Sequence, residues 1–297
     1  MRLRIATLAT LILLAGSTGC VASAQGGAID GLFDYGGLTR TYTLYVPPGV
    51  EHPSGLVVNL HGGGGTGRIQ EFFTNYDRVA DRHGLAVVYP DGVNRNWADG
   101  RGASEPDRRG VDDTGFLSAL AGKIVADYGI DPGHVFATGM SNGGFMANRL
   151  GCDRADVFAA IAPVAATLGT DVRCQPSRPI AVMVTNGTDD PLVPFGGGQM
   201  NGAGGTSDIV SPPEMVARWR ALNRCPNDVR TDTLQGTAEV QETTASSCAD
   251  GTEVVSMQVE GGGHFWPGGL FPGFKGRATN AFDQSETSWN FFARHAR

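Results

Sequence analysis

The sequence predicts one α/β domain, a mostly parallel central sheet with helices on both faces. Three observations carry this. Short apolar runs without a charge, at 56–60, 85–89, 159–164 and 180–185, have the continuous hydrophobicity of strands buried on both faces. Stretches with helical spacing alternate with them. A glycine-flanked serine, Gly139-Met140-Ser141-Asn142-Gly143, stands where an apolar strand passes into a helix.

The elements follow in order. Residues 1–24 read as an export signal: Arg2 and Arg4 start it, residues 8–14 are apolar but too few to span a bilayer, and Ala22-Ser23-Ala24 is a small-x-small cleavage site. Lipidation at Cys20 is the weaker reading, because Ser17 stands where a lipobox has Leu. The mature domain is then 25–297, with no later membrane span, repeat or interdomain linker. Residues 39–46 alternate polar and apolar before Pro47-Pro48, as an antiparallel opening strand does. The strand 56–60 runs into His61 and four glycines, 69–82 has helical spacing, and 85–89 is the next buried strand. Residues 91–110 form a long polar loop, a feature that is often functional. Asp112 or Asp113 caps a helix reaching residue 128. The strand 135–138, the turn at Ser141 and the helix 142–150 come next. Strands 159–164 and 180–185, a flexible insertion at 196–205, a helix at 213–223, a last strand at 254–259 and a closing amphipathic helix at 284–294 complete the domain.

The net charge of −7, more negative still once Arg2 and Arg4 are removed, disfavours a nucleic-acid partner, whose phosphates need Lys and Arg. Cys152, Cys174, Cys225 and Cys248 remain after the signal, an even set in an exported chain that implies two disulfides. Three pairings are possible. Cys152–Cys174 with Cys225–Cys248 is preferred, since each closes a loop of about 23 residues and would add roughly 2–4 kcal/mol. No C-x-x-C pair and no ligand-spaced His is present, so no metal is expected.

The strand–turn–helix setting of Ser141 is that of a nucleophile elbow in the α/β-hydrolase fold. Serine needs a base, and in this fold the order along the chain is Ser, acid, His. Asp189-Asp190-Pro191 follows the strand 180–185, and His264 follows the strand 254–259, both at strand C-terminal ends. Asp190 is preferred as acid over its neighbour Asp189. His52, His83, His134 and His295 read as surface residues, and His61 precedes Ser141 in the chain. The oxyanion donors expected are the N–H of Asn142 and that of Gly63, with Gly64 the alternative. A phosphate loop is excluded because no Gly-Lys-Ser/Thr follows the glycines. Asp112 and Asp113 read as helix caps.

Taken together, His61-Gly62-Gly63-Gly64-Gly65, Trp97 with Asp99-Gly100-Arg101, Val111-Asp112-Asp113, Gly139-Met140-Ser141-Asn142-Gly143-Gly144-Phe145-Met146, Gly187-Thr188-Asp189-Asp190-Pro191-Leu192-Val193-Pro194 and Gly261-Gly262-Gly263-His264-Phe265-Trp266-Pro267-Gly268-Gly269 resemble one family. It is the secreted polyhydroxybutyrate depolymerase and feruloyl esterase group of carbohydrate esterase family 1. The similarity runs from about Leu38 to the last helix. It implies a single-domain α/β-hydrolase with Ser141 as nucleophile, Asp190 as acid and His264 as base, and no cofactor. One departure is Asn186, where the family often has His, which should affect loop packing or the site rim. Trp97 and Trp266 are candidate substrate contacts, the alternatives being that Trp97 packs the long loop down and that Trp266 packs in the core under the last helix. Feruloyl or acetyl esters of cell-wall xylan are the favoured substrates, because no polymer-binding module follows the domain. A hydroxyalkanoate polyester is the alternative, and an inactive carbohydrate-binding hydrolase fold is the rival of another class. No obligate protein partner is implied.

Overall fold

The computed structural model describes residues 27–270 and 276–297, so the signal 1–24, its cleavage near Ala24 and lipidation at Cys20 lie outside the described residues. The strands are β1 (Gly27–Tyr35), β2 (Leu38–Val46), β3 (Leu56–Leu60), β4 (Ala86–Pro90), β5 (Val135–Met140), β6 (Ala160–Val164), β7 (Ala181–Gly187), β8 (Gly198–Gly202), β9 (Gly205–Ile209), β10 (Arg230–Leu234), β11 (Val240–Ala245) and β12 (Val254–Val259). All but β8 and β9 form one sheet, in the order β1-β2-β4-β3-β5-β6-β7-β12-β11-β10. From β4 through β12 neighbours are parallel, while β1–β2 and β10–β11 add antiparallel edges.

The continuous apolar runs are explained by burial on both sides. Leu56, Val58 and Leu60 of β3 join the core beneath α4 (Asp113–Tyr128), α5 (Asn142–Asp153) and α6 (Pro212–Leu222), where Phe116, Leu150 and Trp219 are buried. Val57 points the other way, into the core under α2 (Asp77–His83) and α7 (Gln284–Ala293), with Val79, Trp289 and Phe292. Each such side chain stabilises the fold by about 1.5–3 kcal/mol.

Several sequence expectations change. The helix read at 69–82 is two, α1 (Gly67–Thr74) and α2, because Asn75 turns left-handed at φ 49° and its N–H closes α1 on Glu71. The long loop contains a short helix, α3 (Glu105–Arg108), capped by Ser104. Asp112 caps α4 by accepting from Gly115 N at 2.8 Å. Asp113 does not act as a cap. Its buried carboxylate, pushed up by burial and opposed by Arg40, pairs with Arg40 at 2.8 Å and accepts from Ala98 N. The insertion at 196–205 is an ordered hairpin, β8–β9. The preferred disulfides, Cys152–Cys174 and Cys225–Cys248, are the two that are bonded.

The last helix is tied to the sheet through Glu253. It accepts from Arg294 Nε at 2.6 Å and from His295 Nε2 at 2.7 Å. Burial alone would raise this carboxyl, but those two bonds outweigh it and hold it at about 2, against an ordinary 4.5. A depressed carboxyl contributes stability above its unfolded value and loses it as pH falls through the folded one. The melting temperature should therefore fall between pH 4.5 and 2 by more in the native protein than in Glu253→Gln, measured by parallel thermal melts. Identical acid limbs would refute the contribution.

Candidate active site

Ser141 sits at φ 55°, in a left-handed conformation unusual for serine. The strain is held by its surroundings. Ser141 N donates to Val164 O at 2.9 Å, and Ser141 O receives the first bond of α5 from Phe145. The flanking glycines serve close approach. A β-carbon at Gly143 would stand 2.1 Å from Leu60 O, and one at Gly139 2.7 Å from Gly143 O. The turn thus lies directly on the end of β3, and the first N–H groups of α5, beginning with Asn142, have no partner inside the helix.

The loops that carry Asp190 and His264 leave the C-terminal ends of β7 and β12, which are parallel neighbours. They are zipped together: Thr188 N donates to Val259 O, Asp189 N to Gly262 O, and Gly261 N to Thr188 Oγ1 at 2.8 Å. A β-carbon at Gly187 would stand 2.2 Å from Gly262 O, so only glycine lets the loops cross so closely. Of the two adjacent aspartates, Asp190 is buried and Asp189 is exposed. His264 Nδ1 lies 2.8 Å from Asp190 Oδ2, with both side chains almost fully buried. The other oxygen, Oδ1, accepts from Leu192 N at 2.8 Å and Val193 N at 2.9 Å. Because a carboxylate only accepts, Nδ1 carries the imidazole proton and Nε2 is left as the basic nitrogen.

His264 and Ser141 line one cavity of about 420 Å³. The glycine loop after β3 lines it as well. Gly64 N is already donated to Arg95 O at 2.8 Å and Gly65 N to Gly62 O at 2.9 Å, which removes Gly64 as an oxyanion donor and leaves Gly63 beside Ser141 and Asn142. His61 is excluded as a base. Its Nδ1 donates to Gly62 O at 2.8 Å, its Nε2 accepts from Gly92 N at 2.9 Å, and burial pushes its pKa down.

Two expected substrate contacts have other work. Trp97 is fully buried, its indole donates to His61 O at 2.9 Å, and its ring packs 4.8 Å from that of His61. Its backbone N–H donates to Asn142 Oδ1 at 2.8 Å, which clamps the long loop onto the elbow helix. Trp266 is also buried. Its indole donates to Ser285 Oγ, whose proton goes to Thr74 O, so it pins the base loop to α7 and α1. Neither indole lines the cavity. Asn186 donates to Ala166 O at 3.0 Å and packs the acid loop against the segment after β6.

The lining includes residues the sequence reading passed over. Asn96 comes from the long loop, and the β8–β9 tip, including Ala203, forms one wall. Arg101 holds that hairpin. Its guanidinium lies 3.6 Å over the Phe145 ring, pairs with Asp99, and donates to Ser207 Oγ at 3.2 Å. Asp99 in turn accepts from Asn142 Nδ2 at 2.6 Å, so the hairpin, the long loop and the elbow form one connected frame.

Comparison with known proteins agrees with this architecture. Residues 40–193 match the family model described as esterase PHB depolymerase. NocK of Nocardia uniformis subsp. tsuyamanensis, which bears an esterase name, is 33% identical over 254 residues, covering 80% of this chain and 73% of NocK. Feruloyl esterase B of Piromyces equi is 28% identical over 72% of this chain, which spans 42% of that protein. Among solved structures, an acetyl xylan esterase from Aspergillus awamori shares the fold with a TM-score of 0.56 at 17% identity, over 86% of this chain and 94% of that one. This chain belongs to the esterase PHB depolymerase family and is a carboxylic ester hydrolase of the α/β-hydrolase fold.

Proposed function

We propose that this chain is a secreted serine esterase acting on feruloyl or acetyl esters of plant cell-wall polysaccharide, with Ser141, His264 and Asp190 as its triad. The observation that carries the reading is the buried 2.8 Å contact from His264 Nδ1 to Asp190 Oδ2 in the loop that also brings the imidazole to the Ser141 cavity. Ser141 Oγ attacks the ester carbonyl as its proton passes to His264 Nε2. The N–H groups of Gly63 and Asn142 hold the oxyanion, and Asp190 stabilises the imidazolium. Collapse breaks the C–O bond, and His264 returns the proton to the leaving alcohol. Water then attacks the acyl-serine, gives its proton to His264, and releases the acid with Ser141 restored.

The substrate class is supported by relatives named feruloyl esterase and acetylxylan esterase/xylanase. Two disulfides support export to an oxidising compartment. A second reading, hydrolysis of a hydroxyalkanoate polyester, is favoured by the apolar rim, where Ile69 and Leu192 line the cavity yet are 50% and 37% exposed. A panel of methyl ferulate, acetylated xylan, p-nitrophenyl acetate and hydroxybutyrate oligomers under one set of conditions decides between them. The proposal expects the highest kcat/KM on a feruloyl or acetyl ester. Preference for the oligomers would transfer the assignment to polyester. No turnover together with no labelling by a serine-directed phosphonate would leave only a binding role.

A further inference from the structure

The turn that follows β4 is strained without an obvious structural need. Asn94 and Arg95 are both left-handed, at φ 48° and 60°. The turn is fastened to the glycine loop, since Arg95 O accepts from Gly64 N at 2.8 Å and Arg95 Nε reaches Gly65 O at 3.3 Å. Asn96, the next residue, lines the cavity. Its amide orientation is set, because Nδ2 donates to Asn94 O at 2.9 Å. The acceptor end is therefore the one turned toward the glycine loop, and a β-carbon at Gly63 would stand 3.1 Å from Asn96 Oδ1. Among the described residues that oxygen is buried and has no hydrogen-bond partner. A buried acceptor without a donor is unusual, and this one stands beside Gly63, the residue proposed to hold the oxyanion. Ala203, at the tip of the β8–β9 hairpin, stands equally close to the same point, 3.1 Å from a Gly63 β-carbon. The tip around it is Gly202, Gly204 and Gly205, so Ala203 contributes the one side chain there, a single methyl group.

We infer that Asn96 Oδ1 accepts a hydrogen bond from a hydroxyl of the substrate placed one or two carbons from the ester group. This rests on the esterase reading of the same site. A neutral ester carries no N–H or O–H at its reacting atoms, so a donor supplied by the substrate comes from a neighbouring group, and in esters of sugars and of hydroxy acids that group is a hydroxyl. Such a hydroxyl occurs next to the esterified oxygen of a sugar, on the alcohol side, or on the β-carbon of a hydroxyacyl group, on the acid side. Either would satisfy the orphaned oxygen as the carbonyl settles against Gly63, and an ester without the hydroxyl would leave it dry.

Two matched pairs separate the sources. Methyl 3-hydroxybutyrate against methyl butyrate probes the acid side, and trans-2-hydroxycyclohexyl acetate against cyclohexyl acetate probes the alcohol side. In the native enzyme, kcat/KM for the hydroxyl-bearing member of one pair should exceed that of its partner about tenfold. Asn96→Ala and the similarly sized Asn96→Leu should both bring that ratio to about one, as expected when the acceptor is removed. A native ratio of about one in both pairs overturns the inference, as does a preference that survives in both variants. The native ratios need no variant to fold. Failure to hydrolyse any of the four esters, with Ser141 unlabelled by a phosphonate, would instead bring down the esterase reading and this inference with it.

Discussion

Ser141→Ala is expected to lower kcat on p-nitrophenyl acetate by about 10⁶-fold if the triad acts as a unit. The fold should be undisturbed. The strained φ of 55° is a backbone property that serine and alanine bear alike, and the turn is held by backbone bonds to Val164 and Phe145, which the substitution leaves in place. Only the Oγ atom is lost, and with it the acyl-enzyme. The residual rate would reflect the two N–H donors and the cavity acting on water attack. Thermal melts and phosphonate labelling should accompany the kinetics. An unchanged melt with a kcat loss below about tenfold would remove Ser141 from the nucleophile's role.

The elbow was legible because chemistry and geometry restrict the same few positions. Gly139 and Gly143 lie where β-carbons would strike the neighbouring backbone, so the pattern is forced whatever the substrate. Likewise β3, β5, β6 and β7 are uniformly buried, and their sequences carry no competing polar face. Strands β1 and β10 are half or fully exposed edge strands and β11, beside β10, is mostly half-buried, and their polar residues hide the alternation that marks a strand. The break at Asn75 and the left-handed Arg95 were hidden for another reason. Each depends on a tertiary or capping bond, and Arg95 in particular is of a residue type that offers no local sign of φ > 0. The two tryptophans misled by proximity in sequence. Trp97 and Trp266 adjoin site residues, but their indole N–H groups find partners at His61 and Ser285, and no spacing rule shows that the ring turns inward. Asn96 was passed over because it lies in a polar loop two residues from a second asparagine, Asn94, and only the three-dimensional turn distinguishes the one that lines the cavity.

Asp190→Asn is expected to lower kcat by about 10⁴-fold at neutral pH with little change in stability. The direction follows from which way the new amide must face. Asp190 Oδ1 accepts from two backbone donors, Leu192 N and Val193 N. Only the amide oxygen of asparagine can occupy that position, because an NH₂ group there would meet two N–H donors in a buried loop. The NH₂ group is thereby directed at His264 Nδ1, in place of the oxygen now 2.8 Å away. Nδ1 must then accept, the imidazole proton moves to Nε2, and the nitrogen facing the cavity loses the lone pair that would take the Ser141 proton. The imidazolium also loses its buried counter-charge. Asp189→Asn is the control: that side chain is exposed, and kcat should stay within about twofold. The two variants differ by one position in the same turn, so comparing them separates loss of the carboxylate from disturbance of the loop. Equal kinetics in Asp189→Asn and Asp190→Asn would mean that the imidazole draws its orientation from elsewhere and that the acid has been misassigned.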